Sequence, residues 1–171
     1  MIKILTIALV ANILFANNKS CVIPDILLKT IKITENAKQY PFYIRSNYKL
    51  DIWDNIKYFE FKKTKDINLI DCINTQNCIN ITNTLIQKKY TNLDLGLFQI
   101  NYRSYKYPVY SYFIKDLAYI NACKVIEDKV KLHKGKWDWE VLASYHSMTP
   151  KLNQKYKKKL IQNYKKLLSE N

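Results

Sequence analysis

Residues 93–101 read Leu93-Asp94-Leu95-Gly96-Leu97-Phe98-Gln99-Ile100-Asn101. The stretch is apolar, with a central glycine, one carboxylate and two amides. It is too short for its periodicity to separate a strand from a helix, and both stay open. Gly96 permits a tight turn or a close approach to the backbone.

On either side of this stretch helical spacing dominates. Pro24 suits a first helical turn, and Ile23, Leu27 and Ile31, with Thr30 and Thr34, share a face at spacings of three and four. A helix is predicted from about Pro24 to Ala37, with Pro41 beyond it as a stop. Downstream, Tyr119, Ala122, Cys123, Ile126 and Val130 form one face of a helix spanning about 113–133, followed by Gly135 as a cap. Asp138 can cap a shorter helix over 139–147. Thr149-Pro150 opens a last helix whose apolar stripe is Tyr156, Leu160, Tyr164 and Leu167, opposite a solvated Lys-rich face. Residues 48–91 differ: their aromatics are scattered, their period is mixed, and they read as an irregular insertion holding a hairpin and a short helix. The expected fold class is mostly α.

The 171 residues suit one domain, and a 48% hydrophobic content is enough to bury a core. Two glycines and four prolines exclude collagen-like, low-complexity and Gly-rich phosphate-binding chains. The net charge is +14, from 28 basic and 14 acidic residues. Only Arg45 and Arg103 are arginines, which leaves 28 − 2 = 26 lysines. Sequence-specific nucleic-acid binding favours the planar Arg fork, so no nucleic-acid partner is expected. Attraction to an anionic polymer or surface needs net charge alone.

Residues 1–16, MIKILTIALVANILFA, have the outline of a secretory signal: Lys3, an apolar run from Ile4 to Phe15, and the small Ala16. The expectation is a signal peptide over 1–16, a domain over 17–171, and a periplasmic or secreted protein. No later apolar run reaches the roughly 18 residues of a membrane span. Cys21, Cys72, Cys78 and Cys123 make an even count, which in an exported chain suggests disulfides. Of three connectivities, Cys72–Cys78 with Cys21–Cys123 is favoured: the first closes a short loop, the second ties the mature start to a later helix. The spacing does not resemble a zinc site, and neither metal nor cofactor is expected.

Most catalytic templates fail. There is no Gly-x-Ser-x-Gly, no phosphate loop and no His-Glu-x-x-His, and the only histidines are His133 and His146. Carboxylate chemistry remains. Glu35 falls near the C-terminal end of an apolar helix, where the helix's negative end and partial burial favour a carboxyl that keeps its proton. That is what a general acid needs.

The run Gly96-Leu97-Phe98-Gln99-Ile100-Asn101 resembles the Gly-Leu-Met-Gln-Ile-Asn signature of the lytic transglycosylases of the soluble-lytic-transglycosylase class, which share a goose-lysozyme-like α-helical fold. Further blocks match in the family's order. Ile23-Pro24-Asp25-Ile26-Leu27-Leu28 resembles the lead-in to its catalytic helix. Ile33-Thr34-Glu35-Asn36, with Pro41 and Asn47, resembles its Glu-Ser…Pro…Asn segment. Trp139 through Tyr145-His146-Ser147 resembles its Trp…Ala-x-Tyr-Asn segment. Tyr145 to Pro150 looks like the small members associated with type III and type IV secretion and conjugation machines, where Cys21 and Cys123 also match a disulfide pair. Asn36 departs from the family's Ser, and the 60 residues between Glu35 and Gly96 exceed its usual gap.

The resemblance implies cleavage of the β-1,4 bond between N-acetylmuramic acid and N-acetylglucosamine in peptidoglycan glycan strands, leaving 1,6-anhydro ends. Glu35 is the implied catalytic acid and base. Gln99, Asn101 and Tyr145 are the implied polar contacts to sugar, with Phe98 packing beneath it and Gly96 allowing a close approach. Asp94, if it lies across the cleft, would position water and make the protein a hydrolytic muramidase on the same fold. A non-catalytic glycan-binding scaffold is the remaining alternative. A secretion or conjugation apparatus is the implied partner.

Overall fold

The computed structural model describes residues 21–36, 38–49 and 51–170. The expected signal peptide over 1–16 lies outside the described residues. Pro24, with φ of −54°, leads directly into α1 (Asp25–Glu35). Leu28, Thr30 and Ile31 are the buried face of this helix. The threonines on its inner side bond backwards, Thr30 Oγ1 to the Ile26 carbonyl and Thr34 Oγ1 to the Thr30 carbonyl, at 2.7 Å each, so no hydroxyl is buried unpaired. The helix ends at Glu35, before the expected Ala37. The reason is Asn36, whose side chain donates to the Tyr40 carbonyl (2.6 Å) and accepts the Tyr40 N–H (3.3 Å), offering the backbone a turn in place of another helical residue.

Three further helices follow the expected order: α3 (Lys115–Leu132), α4 (Trp139–Ala143) and α5 (Pro150–Ser169). Asp138 caps α4, its Oδ1 accepting the N–H groups of Glu140 (2.9 Å) and Val141 (2.8 Å). Gly135, at φ +78°, follows α3 and donates its N–H to the Val130 carbonyl. Helix α5 lies against both α1 and α4. Tyr156 and Leu160 are buried in that contact, and Asn163 Nδ2 donates to Thr34 Oγ1 (2.9 Å), one residue from Glu35.

The expectation of a mostly α fold needs correction. Helix accounts for about half of the described residues, and a five-stranded antiparallel sheet stands beside it. Its strands are β1 (Tyr43–Ser46), β2 (Lys62–Lys63), β3 (Leu69–Asp71), β4 (Leu93–Leu95) and β5 (Ile100–Asn101), in the order β2-β3-β1-β4-β5. Each has two to four residues, too few for a period of two to show in the sequence. In register, Ile44 of β1 sits between Ile70 and Leu95, and Arg45 faces Asp94, which in turn faces Asn101 of β5.

Residues 48–91 contain a 3-10 turn (Trp53–Ile56), the β2–β3 hairpin and the thirteen-residue α2 (Thr75–Gln87). Trp53, Ile56, Ile70, Cys72, Cys78, Ile81 and Leu85 from this segment are buried in the same core as α1 and α3. Trp53 Nε1 donates to the Ile67 carbonyl (2.8 Å) and fixes the hairpin tip.

Two disulfides join Cys21 to Cys123 and Cys72 to Cys78; such bonds suit an oxidising compartment. Among the described residues no helix is long and apolar enough to cross a membrane. The bridges span 102 and 6 residues. Loop-closure entropy then predicts that a Cys21→Ala/Cys123→Ala variant loses about 5 kcal/mol and Cys72→Ala/Cys78→Ala about 2 kcal/mol. Denaturant titration of the two variants checks the order.

Candidate active site

Residues 93–101 fold as a hairpin, with β4 and β5 joined by a turn from Gly96 to Gln99. Gly96 has φ of +70°, and a Cβ there would stand 2.0 Å from the Tyr112 carbonyl oxygen. Only glycine fits both constraints. Gln99 is also left-handed, at φ +47°, and its Nε2 donates to the Gly96 carbonyl (2.8 Å). That bond swings its Oε1 into an enclosed position with no partner among the described residues. The turn closes on itself through this bond and the Gln99 N–H to the same carbonyl (3.3 Å), and leaves one buried acceptor without a partner among the described residues.

Two expected contacts are corrected here. Phe98 is 0% exposed and packs edge-to-face on Tyr119, with ring centroids 4.8 Å apart. Gly96 is covered by Tyr112. Neither lines the cleft: Phe98 is turned into the core and Gly96 is backed by the Tyr112 carbonyl, so both shape the wall from behind.

The remaining expected residues line one cleft of about 900 Å³: Glu35, Asp94, Gln99, Asn101 and Tyr145. Glu35 is the last residue of α1, and its side chain is only 12% exposed. The Tyr145 hydroxyl, expected to face sugar, donates to the Phe98 carbonyl (2.9 Å), tying the segment after α4 to the hairpin turn. Asn101 is likewise engaged. Its Nδ2 donates to Asp94 Oδ1 (2.7 Å) and Asn92 Oδ1 (3.0 Å), so it orients the carboxylate. Burial pushes the Asp94 carboxyl upward; the amides of Asn47 and Asn101 oppose this, and the charge of Glu35 adds to it. Asn36, the next residue after Glu35, spends its side-chain amide on Tyr40.

His146 is the partner that the sequence did not single out. Its Nδ1 lies 3.4 Å from Glu35 Oε1, and its ring stacks on Tyr156 at 4.7 Å and 7°. Its pKa is raised above 6.5, chiefly by the hydrogen bond to Glu35, against the effect of burial. Tyr145 and Tyr156 are held firmly protonated, first by burial and then by the nearby carboxylates. The available signal was the dipeptide Tyr145-His146 itself, one residue past an expected wall position. Among the described residues no group of three or more His, Cys, Asp or Glu side chains is placed to hold a metal.

No protein-family model, curated protein or solved structure matches the chain. The chemistry therefore rests on the groups themselves: one enclosed carboxyl paired with an imidazole, a second carboxylate in an amide cage, and an unpaired amide oxygen between them and the core.

The Glu35–His146 pair has a testable pH signature. A folded pKa raised above the unfolded value means that the His146 contribution to stability is complete below about pH 6.5. It fades as pH rises through the folded pKa. Proton NMR of the two histidines should place the His146 midpoint above 6.5 and show it falling in Glu35→Gln. An unchanged midpoint in that variant contradicts the pairing.

Proposed function

We propose that the protein is a lytic transglycosylase of peptidoglycan, built on a goose-lysozyme-like domain and exported to the wall. One observation carries the reading. Three sequence blocks that resemble the family's motifs, around Glu35, Gln99 and Tyr145, converge on one cleft with an enclosed carboxyl between them.

In this reaction Glu35 donates its proton to the bridging oxygen, and the bond from that oxygen to the anomeric carbon breaks. The substrate's own acetamide oxygen stabilises the resulting positive centre, a recognised route for glycosidases that lack a second carboxylate at the reacting carbon. The Glu35 carboxylate then takes the proton of the 6-hydroxyl as that oxygen bonds to the anomeric carbon. The anhydro ring closes without water, and Glu35 ends protonated, as it began. His146 holds the carboxylate in place between the two proton transfers. Gln99 lines the cleft, and its enclosed, unpartnered Oε1 meets a sugar hydroxyl or acetamide N–H once the side chain turns outward. The setting that the resemblance implies is a secretion or conjugation apparatus.

A second reading follows from Asp94, which lines the same cleft and feels the Glu35 charge. If it positions water, the product is a reducing muramic acid end. Mass spectrometry of digested peptidoglycan decides: anhydro ends support the transglycosylase, and reducing ends alone make the protein a muramidase.

A further inference from the structure

The cleft continues past Glu35. A second depression, of about 610 Å³, shares Glu35 and Gln99 with the first. Its other walls are the β2–β3 hairpin, strand β1 and the turn after α1, which contribute Lys38, Arg45, Lys62, Lys63 and Lys65. The acids in it are already engaged. Asp66 pairs with Arg45 (2.7 Å) and accepts the Asn68 N–H (3.0 Å). Asp71 accepts the Ile73 N–H (2.7 Å) and the Tyr40 hydroxyl. Glu35 faces His146, and Asp51, which does not line the depression, stands 3.8 Å from Lys63. Lys38, Lys62 and Lys65 are exposed and have no acidic partner among the described residues. Lysines on an edge strand discourage further pairing, which accounts for Lys62 and Lys63. It does not account for Lys38, which joins them from another element around one concave surface. The hairpin backbone is fixed by its pairing to β1 and by Trp53, so Lys62 and Lys65 project from a fixed wall of the depression that Glu35 also lines.

We propose that this depression is the subsite for carboxylates carried by the peptide branch of the glycan. The inference rests on the glycan reading and deepens it: the muramic acid unit beside the cleaved bond bears that peptide. Ammonium groups on flexible stems suit a mobile carboxylate, whereas a fixed planar anion favours the Arg fork, and the one arginine here is paired with Asp66. Residues 48–91 then have a role in selecting strands that still carry peptides.

The test is binding, measured in the uncleaving Glu35→Gln background with soluble glycan strands freed of phosphate-bearing polymers. One sample keeps its peptides, and the other has been stripped of them by an amidase. Adding Lys62→Ala and Lys65→Ala should weaken binding to peptide-bearing strands about tenfold and leave stripped strands unaffected. Lys62→Arg with Lys65→Arg should retain binding, and added salt should narrow the gap. Equal effects on both strands, or none on either, overturn the inference and leave the glycan reading intact. If the background binds neither strand, both fall.

Discussion

Glu35→Gln is expected to lower the release of anhydro products from peptidoglycan by at least about 10²–10⁴-fold, the usual share of general acid–base catalysis. The amide has nearly the carboxyl's shape, so α1 should still end in the Asn36 turn. The variant's melting temperature should move by no more than about 2–4 °C. The loss would therefore be chemical. Two features make the effect large. The side chain is almost enclosed, so no solvent-borne acid easily replaces it, and the same oxygen atoms serve both proton transfers. Activity retained in Glu35→Gln contradicts the mechanism. Wild-type protein that binds glycan without cutting it, and whose biological phenotype is unchanged by Glu35→Gln, points to the scaffold alternative.

Gly96→Ala should be the most damaging single change to the fold. The new methyl would stand 2.0 Å from the Tyr112 carbonyl oxygen and 2.9 Å from its carbon, at φ +70°. Tyr112 cannot yield easily. It is buried, its hydroxyl donates to the Tyr105 carbonyl and accepts the Tyr107 N–H (3.1 Å). Left-handed strain and overpacking together predict a loss of roughly 2–5 kcal/mol, or a melting temperature lower by about 10 °C. Gly135→Ala is the control: it has a similar φ of +78° but nothing within 4 Å, so it carries the backbone strain of about 1–2 kcal/mol alone. Equal melting temperatures for the two variants would show that the close approach to Tyr112 does not matter.

The long helices were legible because their signals are local. Asp138 caps where its side chain can reach, Pro150 stands in the first turn of α5, and the apolar stripes repeat over several turns. The sheet was not legible. Strands such as Ile100–Asn101 exist because partners from distant parts of the chain supply their hydrogen bonds, and no local pattern of two residues encodes that. Helix α2 was nearly hidden by its polar composition, although Cys78, Ile81, Thr82 and Leu85 do mark one face. At the site, Glu35, Gln99 and Asp94 were found as residue types, but their working contacts were not. Phe98 turned inward, Tyr145 bonded to a backbone carbonyl, and His146 took the place beside Glu35. The first two follow from the turn at Gly96 and Gln99, and the third from the stacking of His146 on Tyr156 of α5, contacts that no local pattern encodes.

Cys21 lies just before the helix that ends in Glu35, and its bridge fastens that end to α3. One short rod is thus stitched at its base and armed at its tip. With the bridge reduced, the tip is still held by packing, by the His146 contact to Glu35 and by the Asn163 bond to Thr34. The bridge fastens the base of the rod, so an oxidising setting adds a hold there to a tip that is already held.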